Sequence, residues 1–121
     1  MSGTDFFLER WVTADELRGA LVDALGVSDV EVVRDLADLV GGQPAYAALY
    51  EAGGEFAAHV SVDPDGDRET VRAVARALGT RALADDGSAN PYTWILVHPD
   101  GREETVSIEP REDEDINLYK P

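Results

Sequence analysis

The residues that could do chemistry in this chain are few. There is no cysteine, which removes thiol nucleophiles, zinc–thiolate sites and disulfides together. His59 and His98 are the only histidines. Each stands in a stretch of strand composition, and neither has a second histidine at metal-ligand spacing. His59 alternates outward between Ala58 and Val60, which reads as an exposed or edge histidine. No serine occupies a Gly-x-Ser-x-Gly elbow. Gly41-Gly42 and Gly53-Gly54 lack the spacing of a phosphate loop that opens a helix. Asp63, Asp65 and Asp67 begin like a calcium loop, but Arg68 and Val74 stand where that loop needs a glycine and an acid. They read as a hydrophilic turn and a helix cap. Carboxylate pairs occur throughout so acidic a chain and identify no acid–base dyad. These exclusions point away from an enzyme, a cofactor and a metal.

What remains is charge. Twenty-five acids against ten Lys and Arg leave a net charge of −15. Phosphate recognition needs clustered cations, so nucleic acid and anionic membrane are excluded as expected partners. The acidic excess is steeper in residues 1–66 than in 67–121. Such a field steers a cationic partner, although it would equally serve solubility or growth in high salt. Arg68, Arg72 and Arg76 recur every four residues and form one helix ridge. That ridge could hold an anion, but it pairs more simply with Glu69 or with the acidic tail at 112–115. Tyr46, Tyr50, Tyr92, Trp94 and Trp11 are interface anchors if exposed, core placement being the default for each.

The elements that would position these groups follow from periodicity and turn chemistry. Residues 6–12 read as a strand, with Phe6 and Leu8 on one face and Phe7 and Trp11 on the other. Thr13 and Glu16 form a capping box, and Leu17, Ala20, Leu21, Ala24 and Leu25 give the following helix its apolar stripe. Gly26 ends it, with Val27 packing back on Val22. Residues 30–34 read as a short strand and 35–43 as a loop with one helical turn. Residues 45–51 and 55–62 read as a hairpin across Ala52-Gly53-Gly54, with Phe56, Ala58, Val60 and Val62 on one face. Asp67 caps a second helix buried along Val71, Val74, Ala75 and Leu78. A brief strand at 82–84 and an exposed loop at 85–89 follow.

Residues 92–98 and 102–108 flank Pro99-Asp100-Gly101 and read as a hairpin whose first strand is central and whose second is half exposed. Segment 109–121 is mostly charged, yet Ile116, Leu118 and Tyr119 predict that it docks. The order β-α-β-β-β-α-(β)-β-β predicts a single α+β domain over 1–121: two layers, a mainly antiparallel sheet, and two helices packed on one face.

Residues 78–108, about a quarter of the chain, carry a helix ending Leu78-Gly79, the loop Asp85-Asp86-Gly87-Ser88-Ala89-Asn90-Pro91-Tyr92 and a strand-Pro-Asp-Gly-strand hairpin. In this they resemble the small bacterial immunity proteins encoded beside polymorphic toxins. The resemblance implies a small, acidic, cytoplasmic protein that plugs a toxin's active site. It lies in arrangement, and no individual family residue carries over. No apolar run reaches the roughly 18–20 residues of a membrane span, and the first residues lack the pattern of a secretory signal.

The expectation is a non-enzymatic cytoplasmic binding protein that neutralises a basic protein partner such as a toxin domain. Asp35, Asp38, Glu51, Glu55 and His59 are its expected contact residues. A small ligand-binding or regulatory domain, homodimeric through a sheet edge, is the alternative. An accessory or enzymatic domain of a biosynthetic pathway is the third reading.

Overall fold

A computed structural model describes residues 4–63, 67–85, 93–108 and 116–118. Among these residues seven strands form one open sheet: β1 (Thr4–Leu8), β2 (Val30–Val33), β3 (Ala45–Glu51), β4 (Ala58–Asp63), β5 (Ala82–Asp85), β6 (Thr93–Val97) and β7 (Glu103–Ser107). The spatial order is β2-β3-β4-β1-β5-β6-β7. All neighbours are antiparallel except β2 and β3, which are parallel. Helices α1 (Ala14–Leu25) and α2 (Arg68–Leu78) pack on one another and on one face of this sheet, so the α+β architecture expected from the sequence is the observed one.

Both helices start and stop where their sequence dictates. Thr13 accepts from the Glu16 amide at 3.1 Å while Glu16 takes the Thr13 amide at 3.0 Å. Asp67 caps α2 through the Thr70 amide at 3.0 Å. Gly26 and Gly79 close the two helices at φ 66° and 63°, where a side chain would be strained. Val27 donates to the Val22 carbonyl at 3.3 Å, completing the expected ending of α1.

The main core lies between helices and sheet. Leu17 and Leu21 of α1 and Val71, Val74 and Ala75 of α2 meet Phe6, Leu8, Ala47, Leu49, Ala58, Val60 and Val97, all of them buried. Alanines at 45, 47 and 58 let the helices lie close to the strands. A second, smaller core sits on the opposite face. Phe56, Leu83 and Leu96 are buried there against Phe7, Trp94, Val106, Ile108, Ile116 and Leu118. The predicted docking of the C-terminal segment is thus seen for Ile116 and Leu118, while Tyr119 lies outside the described residues. Ile116 bridges Gly54 and Leu118 bridges Ile108.

Several local expectations are corrected. The first strand ends at Leu8, so Trp11 belongs to the turn before α1. Strand β4 begins at Ala58, because the backbone amide of Glu55 is engaged by the Ile116 carbonyl at 2.9 Å instead of by β3. Phe56 therefore falls in the second core, away from Ala58, Val60 and Val62. Strand β6 is next to the edge; the N-terminal β1 takes the centre by inserting between β4 and β5.

Candidate protein-binding face

Alternation along the strands sends a second set of side chains to the face that carries no helix. The register lines them up in rows. Tyr46 stands opposite Asp63, and Ala48 opposite Ser61, which in turn faces Asp5. Tyr50, His59, Phe7, Leu83, Leu96 and Glu104 form the next row across β3, β4, β1, β5, β6 and β7. Asp85 pairs with Trp94 and Trp94 with Val106.

The aromatic members touch. Phe7 stacks on His59 with centroids 4.7 Å apart and an interplanar angle of 23°. Tyr50 lies 5.7 Å from His59, and Trp94 meets Phe7 edge-on at 5.8 Å. All four rings are half-buried, and Phe7 and Trp94 also pack against the second core. Such a half-buried aromatic cluster is what interface hot spots are built from.

No Lys or Arg occurs in any of the seven strands. Asp5, Glu31, Asp63, Asp85 and Glu104 project from the strands to the helix-free side, as the registers place them. Asp5 meets the His59 ring nitrogen at 3.2 Å. Asp63 accepts from the Tyr46 hydroxyl at 2.7 Å, and that bond raises the hydroxyl's pKa above its ordinary value. Glu104 meets His98 at 2.6 Å, and the hydrogen bond holds its carboxyl below the usual range. The Arg102 guanidinium also lies 3.3 Å from the other ring nitrogen of His98.

Arg102, beside His98, and Arg81, whose charge acts on Glu104, border this face near β7, while other arginines lie away from it. Arg68 and Arg72 of α2 both pair with Glu103, which β7 turns toward the helices, and Arg72 also faces Glu69. Arg68 and Arg72 of the ridge are thus paired within the fold through Glu103 and Glu69; the acidic tail at 112–115 lies outside the described residues. Arg18 binds Asp29 at 2.7 Å, Arg81 binds Glu9, and Arg10 binds Glu16 at 3.1 Å.

The expected contact residues fall in four places. Asp35 and Asp38 are exposed in a 3₁₀ turn after β2, where Asp35 accepts the Ala37 amide at 2.9 Å. Glu51, at the end of β3, faces Arg34 at 3.6 Å. Glu55 is half-buried and accepts the Leu118 amide at 3.2 Å, so it helps to hold the C-terminal segment. Only His59 lies in the aromatic row. Of the aromatic anchors weighed from sequence, Tyr46, Tyr50 and Trp94 are on this face. Trp11 is 37% exposed beneath the Arg34 guanidinium, and Tyr92 lies outside the described residues.

Asp5 and Phe7 escaped sequence reasoning. Their parity within β1 was visible, but both faces of that strand are apolar at Phe6 and Phe7, so nothing told which face the helices would take.

Among the described residues no three His, Asp or Glu side chains converge as a metal site would require. Asp63 and Asp67 of the calcium-like cluster serve Tyr46 and the start of α2, while Asp65 lies outside the described residues. A groove of about 390 Å³ runs beside β2, lined by Arg18, Asp29, Glu31 and Val40 among others. Another, of about 440 Å³, lies between the end of α1 and the start of α2. No helix of the described residues is long and apolar enough to cross a membrane.

No family model matches the chain, and no curated protein or solved structure proved similar to it. The site itself must carry the functional argument.

Proposed function

We propose that this chain is a non-enzymatic, acidic binding protein that neutralises a cationic protein partner through the helix-free face of its sheet. One observation carries the reading: a half-buried row of four touching rings lies on a sheet whose strands hold carboxylates and no Lys or Arg. The two features have complementary effects. Carboxylates around a patch accelerate encounter with a basic surface, and their effect fades with salt. Rings that are already packed lose little freedom when covered, so they convert contact into affinity.

The concrete form of this reading is an immunity protein that blocks a toxin domain such as a nuclease in the bacterial cytoplasm. A nuclease domain offers a cationic cleft made to hold phosphates, and an acidic plug suits such a cleft. Small size, acidity and the arrangement of residues 78–108 support that form.

Site-specific photo-crosslinking tests the face. A photoreactive residue is placed at Ser61, in the middle of the face, and in a second protein at Ala73, exposed on α2. Each is irradiated in lysate of the source cell at low and at high salt. A basic protein captured from position 61 in low salt, and not from position 73, is the expected result. Capture from 73 alone, or a captured partner that is acidic, refutes the proposal.

A further inference from the structure

This inference rests on the basic-partner reading for the partner's charge and adds a second contact, at the edge of the sheet. The geometry points to the outer edge of β2 as a seat for an extended basic segment of the partner, which joins the sheet as a further strand. β2 is the terminal strand, and among the described residues no strand or isolated bridge pairs with its outer side. An edge strand directs backbone N–H and C=O groups outward, so an added strand finds hydrogen-bond partners there. β2 lies beside β3, which carries Tyr46 and Tyr50 on the helix-free face, so the edge continues the proposed contact surface.

The edge lies in a slot. The groove of about 390 Å³ has residues 29–32 as its floor, Ala14, Asp15 and Arg18 of α1 on one side, and Val40, Gly41 and Gln43 on the other. Glu31 fixes the second side by accepting the Val40 and Gly41 amides at 2.7 and 2.9 Å. Its carboxylate is thereby drawn away from the edge, where a charge would otherwise discourage pairing. The opposite edge of the sheet is guarded: β7 carries Glu103 and Glu104 in succession, and Leu118 bridges Ile108 just beyond it.

Side chains and charge choose the occupant. Val32 packs against the main core yet is only half-buried, so an apolar side chain on the added strand would cover it. Asp15, Asp29 and Glu31 line the slot against the single guanidinium of Arg18, which Asp29 already binds at 2.7 Å. The remaining charge is negative and favours basic side chains between the apolar ones. Alternation along a strand delivers both, apolar to one face and basic to the other. A second copy of this chain fits less well, because pairing β2 with its copy gathers the carboxylates of two slots.

The test titrates the nitrogen-15-labelled full chain with end-blocked hexapeptides at low ionic strength. They are alternating Lys-Val, the same peptide N-methylated only at its lysines or only at its valines, and alternating Glu-Val. The amide signals of Glu31, Val32 and Val33 are expected to move with Lys-Val and not with Glu-Val. One of the two N-methylated peptides is expected to bind at least about tenfold more weakly than the other, because only one edge of an added strand meets β2. Plain charge attraction treats the two alike. Equal affinity of the two, or signals that move only away from β2, overturns strand addition while the basic-partner reading stands. Glu-Val binding as tightly as Lys-Val overturns the basic occupant, and crosslinking from Ser61 decides separately whether the whole partner is basic. A dimeric mass of the free chain in sedimentation, lost in Val32→Lys, assigns the edge to a second copy and overturns the proposal.

Discussion

Gly54 joins the sheet to the segment that covers its second core, and replacing it with alanine should show how much that join is worth. Its φ is +85°, a conformation that costs an L-residue about 1–2 kcal/mol. A Cβ built there would fall 2.6 Å from the Ile116 carbonyl oxygen and 2.8 Å from both the Ile116 nitrogen and the Asn117 side-chain oxygen. Two of those contacts are with backbone, so the C-terminal segment must shift. Two backbone hydrogen bonds hold Ile116 there, Glu55 N–H to the Ile116 carbonyl and Ile116 N–H to the Gly53 carbonyl, each 2.9 Å long. Losing them would cost about 1 kcal/mol apiece. Gly54→Ala is therefore expected to lower stability by roughly 2–4 kcal/mol, a large part of the roughly 5–15 kcal/mol of an ordinary domain.

Urea denaturation followed by circular dichroism measures the loss. The decisive comparison repeats the substitution in a chain that ends after Ile108. Without residues 116–118 only the backbone conformation is penalised, so the loss should fall to about 1–2 kcal/mol. Equal losses in the two chains would refute the reasoning, because the glycine would then not be accommodating the segment.

Three further outcomes follow from the same structure. Phe56→Ala should destabilise by about 3–5 kcal/mol in urea denaturation, since the ring is fully buried beneath the C-terminal segment. Stability should fall in acid. The carboxyls of Asp29 and Glu104 are held below their ordinary range, by the Arg18 guanidinium and by the His98 hydrogen bond respectively. A folded pKa below the unfolded one gives stabilisation that is complete above the ordinary carboxylate range and disappears as pH falls through the folded values. Thermal midpoints measured from pH 5 down to pH 2 should drop, and Asp29→Asn should flatten the drop. Finally, Asp5→Lys with Asp63→Lys should slow association with the captured partner at low salt. Asp35→Lys with Asp38→Lys should slow it less, because those two acids lie in the turn after β2 and outside the ring row. Stopped-flow rates at two ionic strengths decide between the placements.

Local chemistry was legible in the chain itself. Thr13 with Glu16, Asp67, Gly26 and Gly79 fix the helix ends because capping is settled within a few residues of each position. The order of strands and helices followed from periodicity, and the acidity and the missing thiols from composition.

Which strand took the centre of the sheet was decided only in three dimensions. β1 lies between β4 and β5, pairings spanning 50 residues or more, which no local pattern records. That insertion brings Phe7 and Asp5 beside His59 and within reach of Trp94. Sequence supplied those four residues as separate apolar or polar positions. A ring row exists because strand pairing sets residues from distant parts of the chain about 5 Å apart on one face. Which face stays without helices was decided by where α1 and α2 bury their stripes, and that choice leaves the carboxylates of Asp5 and Asp63 on the side the rings share.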